Sequence, residues 1–178
     1  MATLAAVPAA GASFLQRQAA KSASAVPLLP NRLRPGDTVG IVAPASATFQ
    51  TLDVTIARES LEALGLKVRV GANVLARHGY LAGSDKERAA DINAFFADAA
   101  VRAVFPIRGG WGSSRLLPHL DYDLIRKNPK VVVGYSDITA LHLAIQAKTG
   151  LVTFHGPNGL GRWDSWSLDH FKGLLMDG

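Results

Sequence analysis

The sequence predicts an α/β domain, a parallel sheet flanked by helices on both faces in the three-layer manner of flavodoxin-like or Rossmann-like folds. Three observations carry this expectation. Short apolar runs rich in Val and Ile, without polar alternation, recur along the chain, as strands covered on both faces require. Segments with apolar residues at helical spacing separate them. Glycine, proline and helix-capping residues mark the joints between the two kinds of segment. At 178 residues and 48% hydrophobic, the chain is long enough to bury the core of one such domain.

Residues 1–30 stand apart as an Ala/Ser-rich extension. Ser22-Ala23-Ser24-Ala25 has the small-x-small form of a signal-peptidase site, but Arg17 and Lys21 follow the apolar stretch instead of preceding it. The extension therefore reads either as a degenerate export signal or as a tail, which leaves cytoplasm and periplasm both open. Val26-Pro27-Leu28-Leu29-Pro30 reads as a linker into the domain, residues 31–178.

Within the domain, Arg34-Pro35-Gly36-Asp37 is a turn that launches the strand Thr38 to Ala43, and Pro44-Ala45-Ser46 ends it. Leu52, Ile56, Leu61 and Leu64 mark a helix stopped by Gly65. Lys67 to Val70 is a second strand. Ser84-Asp85-Lys86-Glu87 has the form of a capping box, and Ala89, Ile92, Phe95 and Phe96 supply the apolar stripe of the helix it starts. The strand Val101 to Phe105 runs into the loop Arg108-Gly109-Gly110-Trp111-Gly112, at the sheet edge where open α/β folds bind ligands. Arg115 to Leu117 and Tyr122 to Lys127 are short helical pieces. Asn128-Pro129 breaks the chain before Val131-Val132-Val133-Gly134. A helix over Asp137 to Lys148, capped by Gly150, a strand over Leu151 to Phe154 and a helix over Ser167 to Leu175 complete the pattern.

Composition narrows the function. The net charge of +5 is modest and the basic residues are scattered without interleaved aromatics, so no nucleic-acid footprint is present. The absence of cysteine excludes disulfides, thiolate metal sites and a cysteine nucleophile. No run approaches the ~20 apolar residues of a bilayer-spanning helix. His78, His119 and His170 have no partners at metal-ligand spacing, and the glycine loop lacks the lysine and Ser/Thr of a phosphate loop, so neither a metal nor another cofactor is expected.

The stretch Gly134-Tyr135-Ser136-Asp137-Ile138-Thr139 joins a buried strand directly to a helix. Such a turn pushes the serine out of the sheet with the following N–H groups beside it, as a nucleophile requires. Ile138 stands where the commonest serine-hydrolase elbow has glycine, so the turn differs from that one. The competing reading makes Ser136 a helix cap whose hydroxyl accepts from the N–H of Ile138 or Thr139. Arg108 is suited either to a substrate carboxylate or to a local pair, and Trp111 either to the wall of a groove or to surface packing. Asp137 is placed to act through its backbone while its carboxylate helps cap its own helix. His142 reads as a packed helix residue, and His155 is the local histidine nearest the elbow in topology.

Taken in order, Arg34-Pro35-Gly36-Asp37, Val42-Ala43-Pro44-Ala45-Ser46, Gly79-Tyr80-Leu81-Ala82-Gly83-Ser84-Asp85 with Arg88, the Arg108–Gly112 loop, Asp121-Tyr122-Asp123-Leu124-Ile125, the Gly134–Thr139 elbow and Thr153-Phe154-His155-Gly156-Pro157 resemble the LD-carboxypeptidase family of serine peptidases. That family includes muramoyl-tetrapeptide carboxypeptidases and microcin-immunity peptidases. The resemblance spans about Leu33 to Pro157, with Trp111 where the family usually has tyrosine. It implies a hydrolase that removes a C-terminal D-amino acid, typically D-alanine, from murein peptides. It further implies Ser136 as nucleophile, and the backbone N–H groups of Asp137 and Gly110 as the oxyanion hole. Arg108, Gly109 and Trp111 are the candidate substrate-binding residues of the loop. His155 falls in a His-Gly-Pro turn that is not the base in that family.

In the family the base and its orienting group, a histidine and a glutamate, come from a C-terminal domain that these residues do not include. The expectation is therefore an incomplete active site, inactive alone, with an apolar surface around Ser136 and a homodimer as one association state. The competing expectations are a catalytically incomplete fragment that binds a ligand or partner, and a flavodoxin-like nucleotide-binding module resting on fold analogy.

Overall fold

The computed structural model describes residues 26–176, so the Ser22–Ala25 cleavage-site reading lies outside the described residues. Five parallel strands, β1 (Thr38–Val42), β2 (Lys67–Val70), β3 (Val101–Pro106), β4 (Val131–Gly134) and β5 (Phe154–His155), pair in the order β2-β1-β3-β4-β5. The helices are α1 (Thr51–Glu62), α2 (Asp85–Ala97), α3 (Tyr122–Lys127), α4 (Thr139–Thr149) and α5 (Ser165–Leu175). Strand order reverses direction between β1 and β3. The loops leaving those two strands therefore part at their C-terminal ends and open a crevice.

Alternation along the buried strands assigns the layers. Val39, Ile41, Ala103, Phe105, Val131 and Val133 face one core with Val54, Ala57 and Leu61 of α1 and with Phe171 and Leu175 of α5. Val104 and Val132 face the other, with Ile92, Phe95 and Phe96 of α2 and with Leu141 and Ile145 of α4. Each fully buried Ile, Leu or Phe contributes about 1.5–3 kcal/mol of transfer free energy, so both layers contribute to the stability of the sheet that carries the crevice.

Ser84 caps α2 as expected, accepting from the Glu87 N–H while the Glu87 carboxylate accepts from the Ser84 N–H at 2.8 Å. Two expectations are corrected. Leu61 and Leu64 are buried as expected, but Leu52 and Ile56 are exposed (58% and 44%), and the buried face of α1 is made by Val54, Ala57 and Leu61. At 100° per residue the latter three share one face while Leu52 and Ile56 lie opposite. Ala57 is small enough for the loop after β5 to settle on it: a Cβ added at Gly159 would stand 3.0 Å from the Ala57 Cβ. The last strand also begins later than expected. Phe154 and His155 pair with Val133 and Gly134, whereas Leu151 bridges to Leu28, whose N–H donates to Gly150. Leu28, read as linker, is thereby tied to the domain.

Candidate active site

The Gly134–Thr139 turn leaves the C-terminal end of β4 beside the crevice. Ser136 has φ +64, and it is the only non-glycine residue in the left-handed region among the described residues. Such a backbone costs of order 1–3 kcal/mol and persists only where its surroundings impose it. The side chain is exposed and makes no cap bond. The Ile138 N–H goes instead to the Tyr135 carbonyl at 3.4 Å, so Ser136 is not the helix cap that the competing reading required.

Bonds on both sides hold the turn. His142 Nε2 lies 2.9 Å from the Gly134 carbonyl oxygen, which can only accept, so the imidazole proton sits on Nε2. Burial, the largest influence, pushes the His142 pKa below its ordinary 6.5 despite that bond, and the neighbouring His155 acts in the same direction. Its Nδ1 is buried without a partner. The Tyr135 N–H donates to Asn158 Oδ1 at 3.2 Å, and Asn158 is 3% exposed. The Asp137 carboxylate accepts from the Ser113 N–H at 2.8 Å and its carbonyl accepts from the Ser113 hydroxyl. Asp137 thus ties the elbow to the far end of the glycine loop. This corrects the expectation that it caps its own helix.

The glycine loop closes over the serine. A Cβ at Gly109 would stand 3.1 Å from the Ser136 Cβ and 3.3 Å from its Oγ, so any larger residue would press on the serine and require it to shift by a few tenths of an ångström. Gly110 has φ +120, and a Cβ there would stand 2.1 Å from Ser46 Oγ. Ser46 Oγ accepts the Trp111 N–H at 3.1 Å. The N–H groups of Gly110 and Asp137 have no acceptor among the described residues. Backbone N–H groups left without an acceptor in this way are free to receive one from a bound ligand.

Arg88, 1% exposed, fastens the base of this assembly. Its guanidinium donates to the Gly112 carbonyl at 2.8 Å and to the Pro44 carbonyl, joining the loops that leave β3 and β1. It pairs with Asp85, which also holds Arg115 at 3.0 Å. Those contacts, the Arg115 hydrogen bond first, keep the Asp85 carboxyl below its ordinary range.

The resulting cleft has a volume of about 350 Å³ and is lined by Arg108, Gly109, Gly110, Ser136, Asn158 and Leu160, among others. Arg108 is half-buried, with one long contact to the Ala47 carbonyl at 3.4 Å and no ion pair. Trp111 is 74% exposed and does not line the cleft. The His155 ring stands edge-on to Tyr135 at 6.3 Å and forms no hydrogen bond with Ser136. No described residue is hydrogen-bonded to the Ser136 hydroxyl. Sequence reasoning missed Asn158, Ser46, Ser113 and the purpose of Arg88. Arg88 and Ser46 stood inside quoted motifs, whereas nothing local marks Asn158 or Ser113.

Fold and site together define an α/β protein that displays a strained serine at a strand-to-helix elbow, opposed by a glycine loop. Residues 39–156 match the family model of the LD-carboxypeptidase N-terminal domain, and the chain belongs to that family. A probable murein peptide carboxypeptidase of Bacillus subtilis is 51% identical over 129 residues, covering 72% of this chain and 40% of its own. The microcin C7 self-immunity protein MccF of Escherichia coli is 40% identical over 133 residues, 74% of this chain and 39% of its own. The crystal structure of an MccF-like protein from Bacillus anthracis str. Ames superposes with a TM-score of 0.78 at 36% identity, over 83% of this chain and 47% of that one. The chain thus spans less than half the length of each.

Proposed function

We propose that this chain is the nucleophile-bearing part of a serine carboxypeptidase that hydrolyses the amide bond to a C-terminal D-amino acid, typically D-alanine, of murein peptides. Ser136 Oγ attacks the scissile carbonyl. The negative charge that develops on its oxygen is received by the N–H groups of Asp137 and Gly110, fixed in place before the substrate arrives. Arg108, half-buried in the cleft without an anionic partner, is suited to the terminal carboxylate that distinguishes a carboxypeptidase substrate. The observation that carries this reading is the left-handed Ser136 beside two unused donors.

The proton lost by Ser136 needs a base within hydrogen-bond reach. The family resemblance assigns that role to a histidine oriented by a glutamate in a C-terminal domain. Names of relatives support the substrate class, since the Bacillus subtilis protein is named for murein peptides. MccF, solved in complex with aspartyl sulfamoyl adenosine, adds acyl sulfamoyl nucleotides as compounds to try beside murein tetrapeptide. The direct experiment replaces Ser136 with alanine in the complete natural protein and measures D-alanine release from murein tetrapeptide. Loss of turnover is expected, and unchanged turnover overturns the assignment.

A second reading, in which the 178-residue chain binds a ligand or partner without catalysis, is favoured by the lack of any base on Ser136 among the described residues. A fluorophosphonate probe separates the two. Rapid labelling of Ser136 in this chain argues against a non-catalytic module.

A further inference from the structure

We propose that His142 and Asn158 are positioning residues, a two-sided clamp on the Gly134–Tyr135 peptide unit that helps hold Ser136 in its left-handed conformation. The inference rests on Ser136 being the nucleophile.

The clamp acts at adjacent residues from different elements. From α4, His142 donates to the Gly134 carbonyl at 2.9 Å, and from the loop after β5, Asn158 accepts the Tyr135 N–H at 3.2 Å. Both bonds act on the single peptide unit between Gly134 and Tyr135, whose carbonyl also accepts the Gly156 N–H at 3.2 Å from β5's side of the sheet. Packing leaves little slack, because a Cβ on Gly134 would stand 2.8 Å from both Asn158 Oδ1 and Ile138 Cγ2.

A serine at this position has an ordinary alternative. With a negative φ it is a good helix N-cap, its hydroxyl accepting from the first N–H groups of the helix and no longer presented to the cleft. That state removes the strain, so something must disfavour it. Fixing the Gly134–Tyr135 peptide unit anchors the turn on one side of Ser136, and the bonds from Ser113 to Asp137 anchor it on the other, so rotation into the cap conformation must strain or break one of these anchors.

Core packing does not account for a histidine at 142. The site is buried, 8% exposed, and leaves Nδ1 without a hydrogen-bond partner. Leucine would fill similar space without burying an unsatisfied polar atom. What histidine adds is the Nε2–H donor at the Gly134 carbonyl. Because His142 does not line the cleft, its effect on the reaction runs through Ser136 and not through substrate contact.

The test compares His142→Leu with His142→Gln in the complete natural protein, with Ser136→Ala as control. Glutamine carries an N–H donor at nearly the reach of Nε2. The leucine variant is expected to lower kcat and the rate of fluorophosphonate labelling by about 10- to 100-fold, the scale set by small misplacements of reacting groups. KM should stay within about twofold and glutamine should recover most of kcat, even where the two variants melt at the same temperature. Wild-type kcat in the leucine variant, or equal kcat in the two variants, overturns the clamp. If His142→Leu does not fold, Asn158→Ala and Asn158→Asp ask the same question from the other side. Aspartate keeps the acceptor for the Tyr135 N–H, so labelling as fast in the alanine variant as in wild type overturns the proposal. Turnover that survives Ser136→Ala refutes the nucleophile assignment itself. An inactive Ser136→Ala beside a fully active His142→Leu refutes only the clamp.

Discussion

Two serines open helices in this molecule, each followed by an aspartate, and they are built for opposite ends. Ser84 has φ −66, accepts from the Glu87 N–H and closes a capping box at the start of α2. Ser136 has φ +64, caps nothing and leaves its hydroxyl exposed ahead of α4. Asp85 reinforces the first helix start through Arg88 and Arg115, while Asp137 turns away from its own helix to hold the Ser113 N–H. Where local bonds are satisfied, the serine stabilises the fold. Where the surroundings deny the serine its local bonds, its hydroxyl is left at the cleft without an internal partner.

The contrast predicts a double dissociation, and the largest effect lies at the strained serine. Ser136→Ala should lower turnover by about 10⁴-fold or more while the melting temperature changes little; a steady-state assay and a thermal melt on the same preparation check both. Next comes Gly110→Ala, which forces a side chain into Ser46 Oγ at a backbone angle that L-residues rarely adopt. It is expected to reduce kcat by about 100- to 1000-fold, the cost typical of a lost oxyanion donor, and to lower the melting temperature as well.

Ser84→Ala should do the reverse of Ser136→Ala, costing about 1 kcal/mol of stability, or about 2–4 °C in Tm, with turnover unchanged. Loss of turnover in that variant at a temperature where it is folded would break the comparison. The smallest effect is a pH slope. Burial lowers the His142 pKa from 6.5, so as pH falls through 6.5 the unfolded chain binds a proton that the folded chain still refuses. This contribution to stability is complete above pH 6.5 and diminishes from there down to the lowered folded value. Denaturant titrations of wild type and His142→Gln across that window should converge as pH falls, and parallel curves would show that His142 does not titrate with unfolding.

The strands were legible because both of their faces are buried and apolar runs need no partner to be recognised. The capping box was legible because its bonds span only three residues. The α1 face was only half legible, because Leu52 and Ile56 are as apolar as Val54 and Ala57, and packing against the sheet, including the close seat of Gly159 on Ala57, decides which pair is buried. Leu28 resembled linker because its partner, Leu151, is far along the chain. Within the site, the elbow and the glycine loop were readable from spacing. The roles of Asn158, Ser113 and Ser46 were not, since each depends on a bond between loops that leave different strands.

By itself the sequence determined the alternation of strands and helices, the joints between them, and the serine and glycine loop at the rim of the sheet, because these follow from periodicity and from short-range capping. Only the tertiary structure decided between two states of the same serine. A hydroxyl beside a helix start caps it unless the chain is held otherwise, and here His142, Asn158 and Ser113, brought together from a helix and two loops, hold the turn in which Ser136 faces the cleft.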